Sequence, residues 1–323
     1  MSRRLKVGVV GVGYLGRYHA EKYKAIDEVD LVGVADTKPE RAEAVAAELG
    51  VKPFFDSPDL MGLVDAVSIV VPTKDHFEIT RAFLAQGVHV IVEKPITRTL
   101  DEADGLIELA KNNELILQVG HLERFNPAMR AASSLIGVPL FIEASRISSF
   151  PERGTDVDVV LDLMIHDLDI VLNLVGELPE SIQAVGAPMV TDHVDIANAR
   201  LEFASGCVAN LTASRISDKS LRKIRIFQKD AYLSIDYDQR QVVVTRRAAD
   251  RPPGRPETTT EELVVPPGDA LENELKSFVA SVKTGSAPFV SGEDGRQALA
   301  VALQIMTDIK SRSRDWPEIM GEK

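Results

Sequence analysis

The sequence predicts an α/β protein of two domains: a doubly wound parallel sheet over residues 1–120, then a domain of antiparallel strands and helices over 121–323. Three features carry that expectation. The first 120 residues alternate short apolar runs with amphipathic segments, which is the pattern of parallel strands buried on both faces by helices. A glycine cluster, Gly11-Val-Gly13-Tyr14-Leu15-Gly16, directly follows the first apolar run and opens the first helical pattern. Beyond residue 180 the texture changes to period-two alternation broken by turn residues, as in antiparallel hairpins.

In chain order, strands are expected at Lys6–Val10, Leu31–Ala35, Ala66–Val70, Val88–Val92 and Ile116–Val119, with helices at Tyr14–Ala25, Pro39–Leu49, Lys74–Ala85 and Leu100–Asn112. Pro39 suits a helix start, and Gly50 and Gly87 suit helix ends. A helix follows Pro127, then a strand at Leu140–Ile147, a loop at 148–156 and a strongly apolar helix at Val157–Val175. Residues 182–247 read as successive strands, among them Ala197–Phe203, Val208–Ser214, Lys223–Gln228 and Ala231–Asp236, with turns at Ala204-Ser205-Gly206 and Lys229-Asp230. Residues 248–257, rich in Arg and Pro, read as an exposed loop, and helices at Ala270–Lys283 and Glu293–Arg312 close the chain.

Composition narrows the function. With 45% apolar residues the chain can build full cores. A net charge of −12 argues against general affinity for nucleic acid or anionic lipid, so an anionic substrate would need a local basic patch. Cys207 is the only cysteine, which excludes a disulfide framework and fits a reducing, cytoplasmic compartment. Arg3, Arg4 and Lys6 precede an apolar run, but Gly8, Gly11, Gly13 and Gly16 break it, so it reads as a strand and not as a secretory leader. No stretch approaches the ~18 apolar residues of a membrane span.

The glycine pattern has the spacing of a dinucleotide turn: Gly11 for the tight turn, Gly13 for close approach of a pyrophosphate, and Gly16 for helix packing. The helix start at Tyr14 and Leu15 then offers unpaired N–H groups to phosphate. Asp36 and Thr37 end the second strand, where a carboxylate accepts from ribose hydroxyls and repels a 2′-phosphate, which favours NAD; the alternative for Asp36 is a helix N-cap before Pro39. Pro72, Thr73 and His76 follow the fourth strand, and Glu93-Lys94-Pro95 the fifth, at the strand ends where such folds bind ligands. Pro95 is a candidate for a cis bond.

Asp158, Asp162, His166, Asp169 and Asn173 recur on one stripe of the apolar helix, with Asp167 beside it. The stripe is either a solvent face or a row of short polar groups lining a cleft, and the absence of Lys, Glu and Arg favours the cleft. Asp162 stands one turn from His166 and can orient its imidazole, which titrates near neutrality and suits a general base. His166, Asp167 and Asp169 do not share one face and no cysteine joins them, so no metal is expected. His121, Arg124 and Asn126 would leave a strand end toward substrate, although His121 is equally a structural histidine. Arg146, Arg153, Arg215, Lys219 and Arg222 are candidate cations for a diphosphate, or else ordinary strand charges.

On Gly11, Gly13 and Gly16, Pro72 with His76, Glu93-Lys94-Pro95, Asp162-x-x-x-His166 and the closing Leu271–Met306 segment, the chain resembles the Gfo/Idh/MocA oxidoreductases over nearly its whole length. The resemblance implies a Rossmann domain, a second domain with an open, largely antiparallel sheet, homodimers or homotetramers built through that sheet, NAD as cofactor, and Lys94, Asp162 and His166 as the catalytic group. Some proteins of this fold bind a dinucleotide only to regulate; the presence of all three residues favours an enzyme. A narrower resemblance, carried by 119–127, 214–217 and 222–228, is to bacterial and archaeal enzymes that oxidise the 3-hydroxyl of UDP-N-acetylglucosamine. It implies a nucleotide-sugar substrate and an aminotransferase that consumes the keto product. The loop at 149–156 lacks the paired glycine of the wider family, and a free polyol such as an inositol is the alternative substrate.

Overall fold

The computed structural model describes residues 3–150, 157–248 and 258–312. It contains two compact units, Met1–Phe125 with Gly268–Leu299, and Asn126–Pro267 with Ala300–Lys323. The chain thus returns to the first unit, where the sequence alone assigns everything after residue 120 to the second.

The first unit carries β1 (Leu5–Val10), α1 (Tyr14–Ala25), β2 (Val29–Ala35), α2 (Pro39–Leu49), β3 (Lys52–Phe54), β4 (Ala66–Ile69), α3 (His76–Ala85), β5 (His89–Glu93), α4 (Leu100–Asn112) and β6 (Leu117–Gly120). The strands form a parallel sheet in the order β3-β2-β1-β4-β5-β6. Order reverses between β1 and β4, so the turns that follow these two strands lie side by side at the carboxyl edge. The first, second and fourth helices start and stop as the sequence indicates, while α3 begins at His76, two residues later than expected, after a 3₁₀ turn; Pro39 opens α2, and Gly50 closes it in the left-handed conformation at φ 64°. Short, exposed β3 is an addition, because its three residues show no apolar pattern.

The sheet core comprises Val7, Val9, Leu31, Val34 and Ile91 against Ala20 and Tyr23 of α1. A later helix, α7 (Ala270–Thr284), completes it with Leu275 and Phe278, both fully buried. Each such side chain contributes roughly 1.5–3 kcal/mol of burial, which accounts for the return of the chain to this unit.

In the second unit, α5 (Pro127–Ala132) and β7 (Pro139–Ile147) precede a π-helical turn at Val160–Met164 and α6 (Ile165–Val175). Strands β8 (Ser181–Ala187), β9 (Ile196–Glu202), β10 (Val208–Ser214), β11 (Leu221–Gln228), β12 (Ala231–Asp236), β13 (Gln241–Arg247) and β14 (Thr258–Leu263) follow, and α8 (Gly292–Arg312), whose residues to Leu299 belong to the first unit and the rest to the second, ends the described chain. The sheet order is β14-β13-β12-β11-β7-β10-β9-β8. All pairs are antiparallel except β7 with β10. One face is apolar and buried through Ala199, Leu211, Ile142, Ile224, Leu233 and Val244. The helix expected from Val157 instead begins with the π turn, and the loop at 248–257 lies outside the described residues except Ala248.

Candidate functional site

In the first unit the glycine turn is built by exclusion. A Cβ on Gly11 would lie 2.3 Å from the Val70 carbonyl oxygen, and one on Gly16 would lie 1.8 Å from the Gly11 oxygen. Gly11 also has φ +84°, which a larger residue rarely adopts. A Cβ on Gly13, by contrast, would meet nothing within 4 Å, so the chain there faces open space. Gly13 caps α1 without a side-chain acceptor, leaving the helix N-terminus able to receive an anion.

A groove of 780 Å³ runs along this edge, lined by Gly11, Gly13, Asp36, Thr37, Lys38, Arg41 and Pro72 among others. Asp36 is not the N-cap of α2; that place belongs to Lys38. Its Oδ2 accepts from Val12 N–H at 3.0 Å and its Oδ1 from Lys38 N–H at 2.9 Å, which holds the carboxylate beside the glycine turn. The remaining lone pairs can accept from ribose hydroxyls. These residues fit NAD: a bare backbone for the pyrophosphate and a carboxylate for the ribose. Tyr14 and Leu15 are exposed at the start of α1. Thr73 opens a 3₁₀ turn ahead of α3.

His76 is buried, and its two ring nitrogens lie 2.8 Å from the Pro95 oxygen and 2.9 Å from the Val71 oxygen. Burial lowers its pKa, against the opposing pull of the two carbonyls and Glu93. Lys94 follows β5, and its bond to Pro95 is cis, as the sequence suggests. Glu93 Oε1 lies 3.2 Å from Nε2 of His19, a buried residue that sequence reasoning passed over. Burial works to raise the Glu93 carboxyl, but His19, Lys94 and His76 hold it below its usual range. His121 and Arg124 are buried at the end of β6, Arg124 at 3.3 Å from Asp294.

In the second unit the expected polar stripe is divided. The π turn widens the helix over Val160–Met164, so residues before it do not align with those after it. Asp162 lies in that turn and His166 in the first turn of α6; both are half-buried. Asp158 is an anchor, accepting from Val194 N–H at 2.8 Å. Asp169 is buried and Asn173 exposed.

Two of the expected phosphate cations are buried on carboxylates. Arg146 is buried, holding both carboxylate oxygens of Asp167 at 3.0 and 2.9 Å. Arg215 is fully buried against Asp195 at 2.7 Å and donates to the Val157 carbonyl at 2.7 Å. Neither is an exposed strand charge, and each is already engaged by a carboxylate. Asp195 Oδ2 also accepts from the N–H groups of Met189, Val190 and Thr191. Burial would raise the Asp195 carboxyl, but these donors and Arg215 hold it far below the usual range. Asn126 accepts from Ala128 N–H at 3.0 Å and so caps α5. Lys219 is exposed, Arg222 lies 3.6 Å from Asp238, and Arg153 is outside the described residues. Among the described residues no group of acidic, histidine or cysteine side chains could hold a metal, and no helix is long and apolar enough to cross a membrane.

Comparison with known proteins gives this geometry a family. A model described as an oxidoreductase family with an NAD-binding Rossmann fold matches residues 5–121, and the GFO/IDH/MocA C-terminal domain matches 132–234. The chain is 41% identical to a UDP-N-acetylglucosamine 3-dehydrogenase from Acidithiobacillus ferrooxidans, over 95% of this chain and 98% of that one. It is 29% identical to a myo-inositol 2-dehydrogenase from Thermotoga maritima, over 98% of this chain and all of the other. A solved structure of the A. ferrooxidans enzyme superposes with a TM-score of 0.91 at 40% identity, covering 96% of this chain and 99% of that one. With its glycine turn, its Asp36-flanked groove and both family domains in order, the chain belongs to the Gfo/Idh/MocA family of NAD-dependent oxidoreductases.

Proposed function

We propose that this protein oxidises the 3-hydroxyl of UDP-N-acetylglucosamine to a 3-keto sugar, supplying an aminotransferase step toward lipid A or a related glycan. One observation carries the reading: near full-length likeness, at 41% identity, to an enzyme named for that reaction. The chemistry that NAD supplies when bound is acceptance of a hydride. The chain's own part is to remove the hydroxyl proton and fix the hydroxyl oxygen. His166 takes the proton, with Asp162 orienting its imidazole, while Lys94 holds the oxygen, or His166 and Lys94 exchange those tasks. Gly11, Gly13, Tyr14, Leu15, Gly16, Asp36, Thr37, Pro72, Thr73, His76 and Glu93 form the cofactor side, and His121, Arg124 and Asn126 the start of the substrate side. With Arg146 and Arg215 buried on carboxylates, the exposed Lys219 and the more accessible Arg222, itself beside Asp238, stay candidates for the diphosphate, as does Arg153.

A second reading, oxidation of a free polyol such as an inositol, is favoured by the full-length inositol dehydrogenase relative. The two separate in one assay: NADH formation with UDP-N-acetylglucosamine, free N-acetylglucosamine and myo-inositol. We further propose a cytoplasmic homodimer or homotetramer joined through the outer face of the second sheet. There Phe141, Phe227 and Tyr232 pack as tilted rings across β7, β11 and β12 with centroids 5.7 and 4.8 Å apart, beside the Arg225–Glu143 pair. A monomer mass by light scattering at micromolar concentration would refute that assembly.

A further inference from the structure

The residues on either side of Lys94 each lie against a buried histidine, Glu93 at an ion-pair distance from His19 and Pro95 in hydrogen-bond reach of His76. Before it, the Glu93 carboxylate meets His19 Nε2 and lies directly over Gly120, its register partner on β6. A Cβ on Gly120 would come within 2.8 Å of Glu93 Oε1 and 2.9 Å of its Cδ. Any side chain at 120 would therefore displace the carboxylate. His19 is itself held: its Nδ1 lies 3.3 Å from Ser68 Oγ, which lies 2.9 Å from the Tyr23 hydroxyl. After Lys94, the Pro95 carbonyl oxygen lies 2.8 Å from His76 Nδ1, and His76 spans to the Val71 oxygen by its other nitrogen. Carbonyl oxygens only accept, so His76 must be the donor; with one ring proton it serves one carbonyl at a time.

Burying polar side chains is costly unless they are hydrogen-bonded, and an ordinary strand end packs well with apolar ones. Here two buried imidazoles and a carboxylate lie beside the strand end that presents Lys94, with Ser68 and Tyr23 behind His19. We propose that His19 and His76 are positioning residues for Lys94, one gripping the side chain before it and the other the carbonyl after it, so that together they aim its ammonium group. The inference rests on the role given to Lys94 above. Its energetic logic is that a displacement of about 1 Å at a reacting group costs on the order of 100-fold in rate.

The test replaces each imidazole by a ring without donors, His19→Phe and His76→Phe, and restores a donor with His19→Gln and His76→Gln. Lys94 reactivity is read without any sugar, as the rate of its acetylation by acetic anhydride followed by peptide mass spectrometry, with and without NAD. In the Phe variants Lys94 should label at least about threefold faster and lose its NAD protection, with kcat down about 30-fold and the sugar KM little changed. The Gln variants should recover most of both. Should a Phe variant fail to fold, Ser68→Ala loosens His19 more gently and should move labelling and kcat in the same directions. Unchanged Lys94 labelling in folded Phe variants, or in Ser68→Ala, would overturn the inference. Altered labelling in a protein whose unmutated form turns over no sugar would uphold the positioning and sink the proposed reaction instead.

Discussion

The two units hold the side chains proposed for catalysis by different chemistry. Around Lys94 the supports are histidine–carboxylate and histidine–carbonyl contacts, His19 with Glu93 and His76 with Pro95. Around the Asp162 turn they are arginine–aspartate pairs, Arg215 with Asp195 and Arg146 with Asp167. Arginine stays charged at every accessible pH, whereas histidine exchanges its proton near neutrality. The second unit is therefore braced by fixed charges, and the first by imidazoles, of which His76 has its pKa lowered by burial. Arg215 adds a mechanical link, since its hold on the Val157 carbonyl ties the segment before the π turn to β10's end.

The largest effects should come from the side chains being held, not from their supports. Lys94→Ala and His166→Ala should each lower kcat by about 10²–10⁴, the usual worth of a proton-transfer group. Near-normal turnover in both would dissolve the comparison, because nothing would then need holding. Next come the rigid supports. Arg215→Met leaves Asp195 buried without its cation and should cost about 3–5 kcal/mol in urea unfolding. A loss near zero would mean the three backbone N–H groups suffice for Asp195.

Cofactor binding offers a contrast inside the first unit. Gly13→Ala, which meets nothing within 4 Å, should fold normally yet bind NAD at least about tenfold more weakly. Asp36→Ala should weaken NAD and narrow its preference over NADP, measured by titration of both nucleotides. NADP preferred by the unmutated protein would sink the assignment of Asp36.

The smallest effect concerns pH and separates the two kinds of support. The folded-state pKa of His76 lies below its unfolded value. The unfolded chain thus binds the extra proton first, and stability should begin to fall as pH drops below about 6.5. Asp195, also depressed, contributes fully above about 3.9 and loses that contribution only below it. His76→Gln should flatten the mild limb of the unfolding midpoint against pH, and Asp195→Asn the acid limb. Interchanged effects would reverse the comparison.

Much of the first unit is legible in the sequence because its signals are local. The glycine turn, Asp36 at the end of the next strand and the strand–helix alternation follow one another in a single stretch, and α1 and α2 begin and end at the expected residues. Pairings between distant residues leave no such trace. His19 sits on the apolar side of α1 and reads as a core residue until Glu93 is placed opposite it. The π turn has the same apolar texture as an α-helix, and its start is fixed by Asp158, Val194 and Arg215 from remote segments. Arg146 and Arg215 look like phosphate ligands because no motif in the sequence marks Asp167 or Asp195 as their partners. Exposed β14, Thr-Thr-Thr-Glu-Glu-Leu, has no apolar alternation to betray it.

The central claim, NAD-dependent oxidation of a nucleotide sugar, is tested most directly by turnover. The protein is mixed with NAD, an oxo-acid acceptor to recycle tightly held NADH, and either UDP-N-acetylglucosamine, free N-acetylglucosamine or myo-inositol. A 3-keto product from UDP-N-acetylglucosamine, with little from the free sugar or the polyol, is the expected result. Turnover of myo-inositol alone would contradict the account.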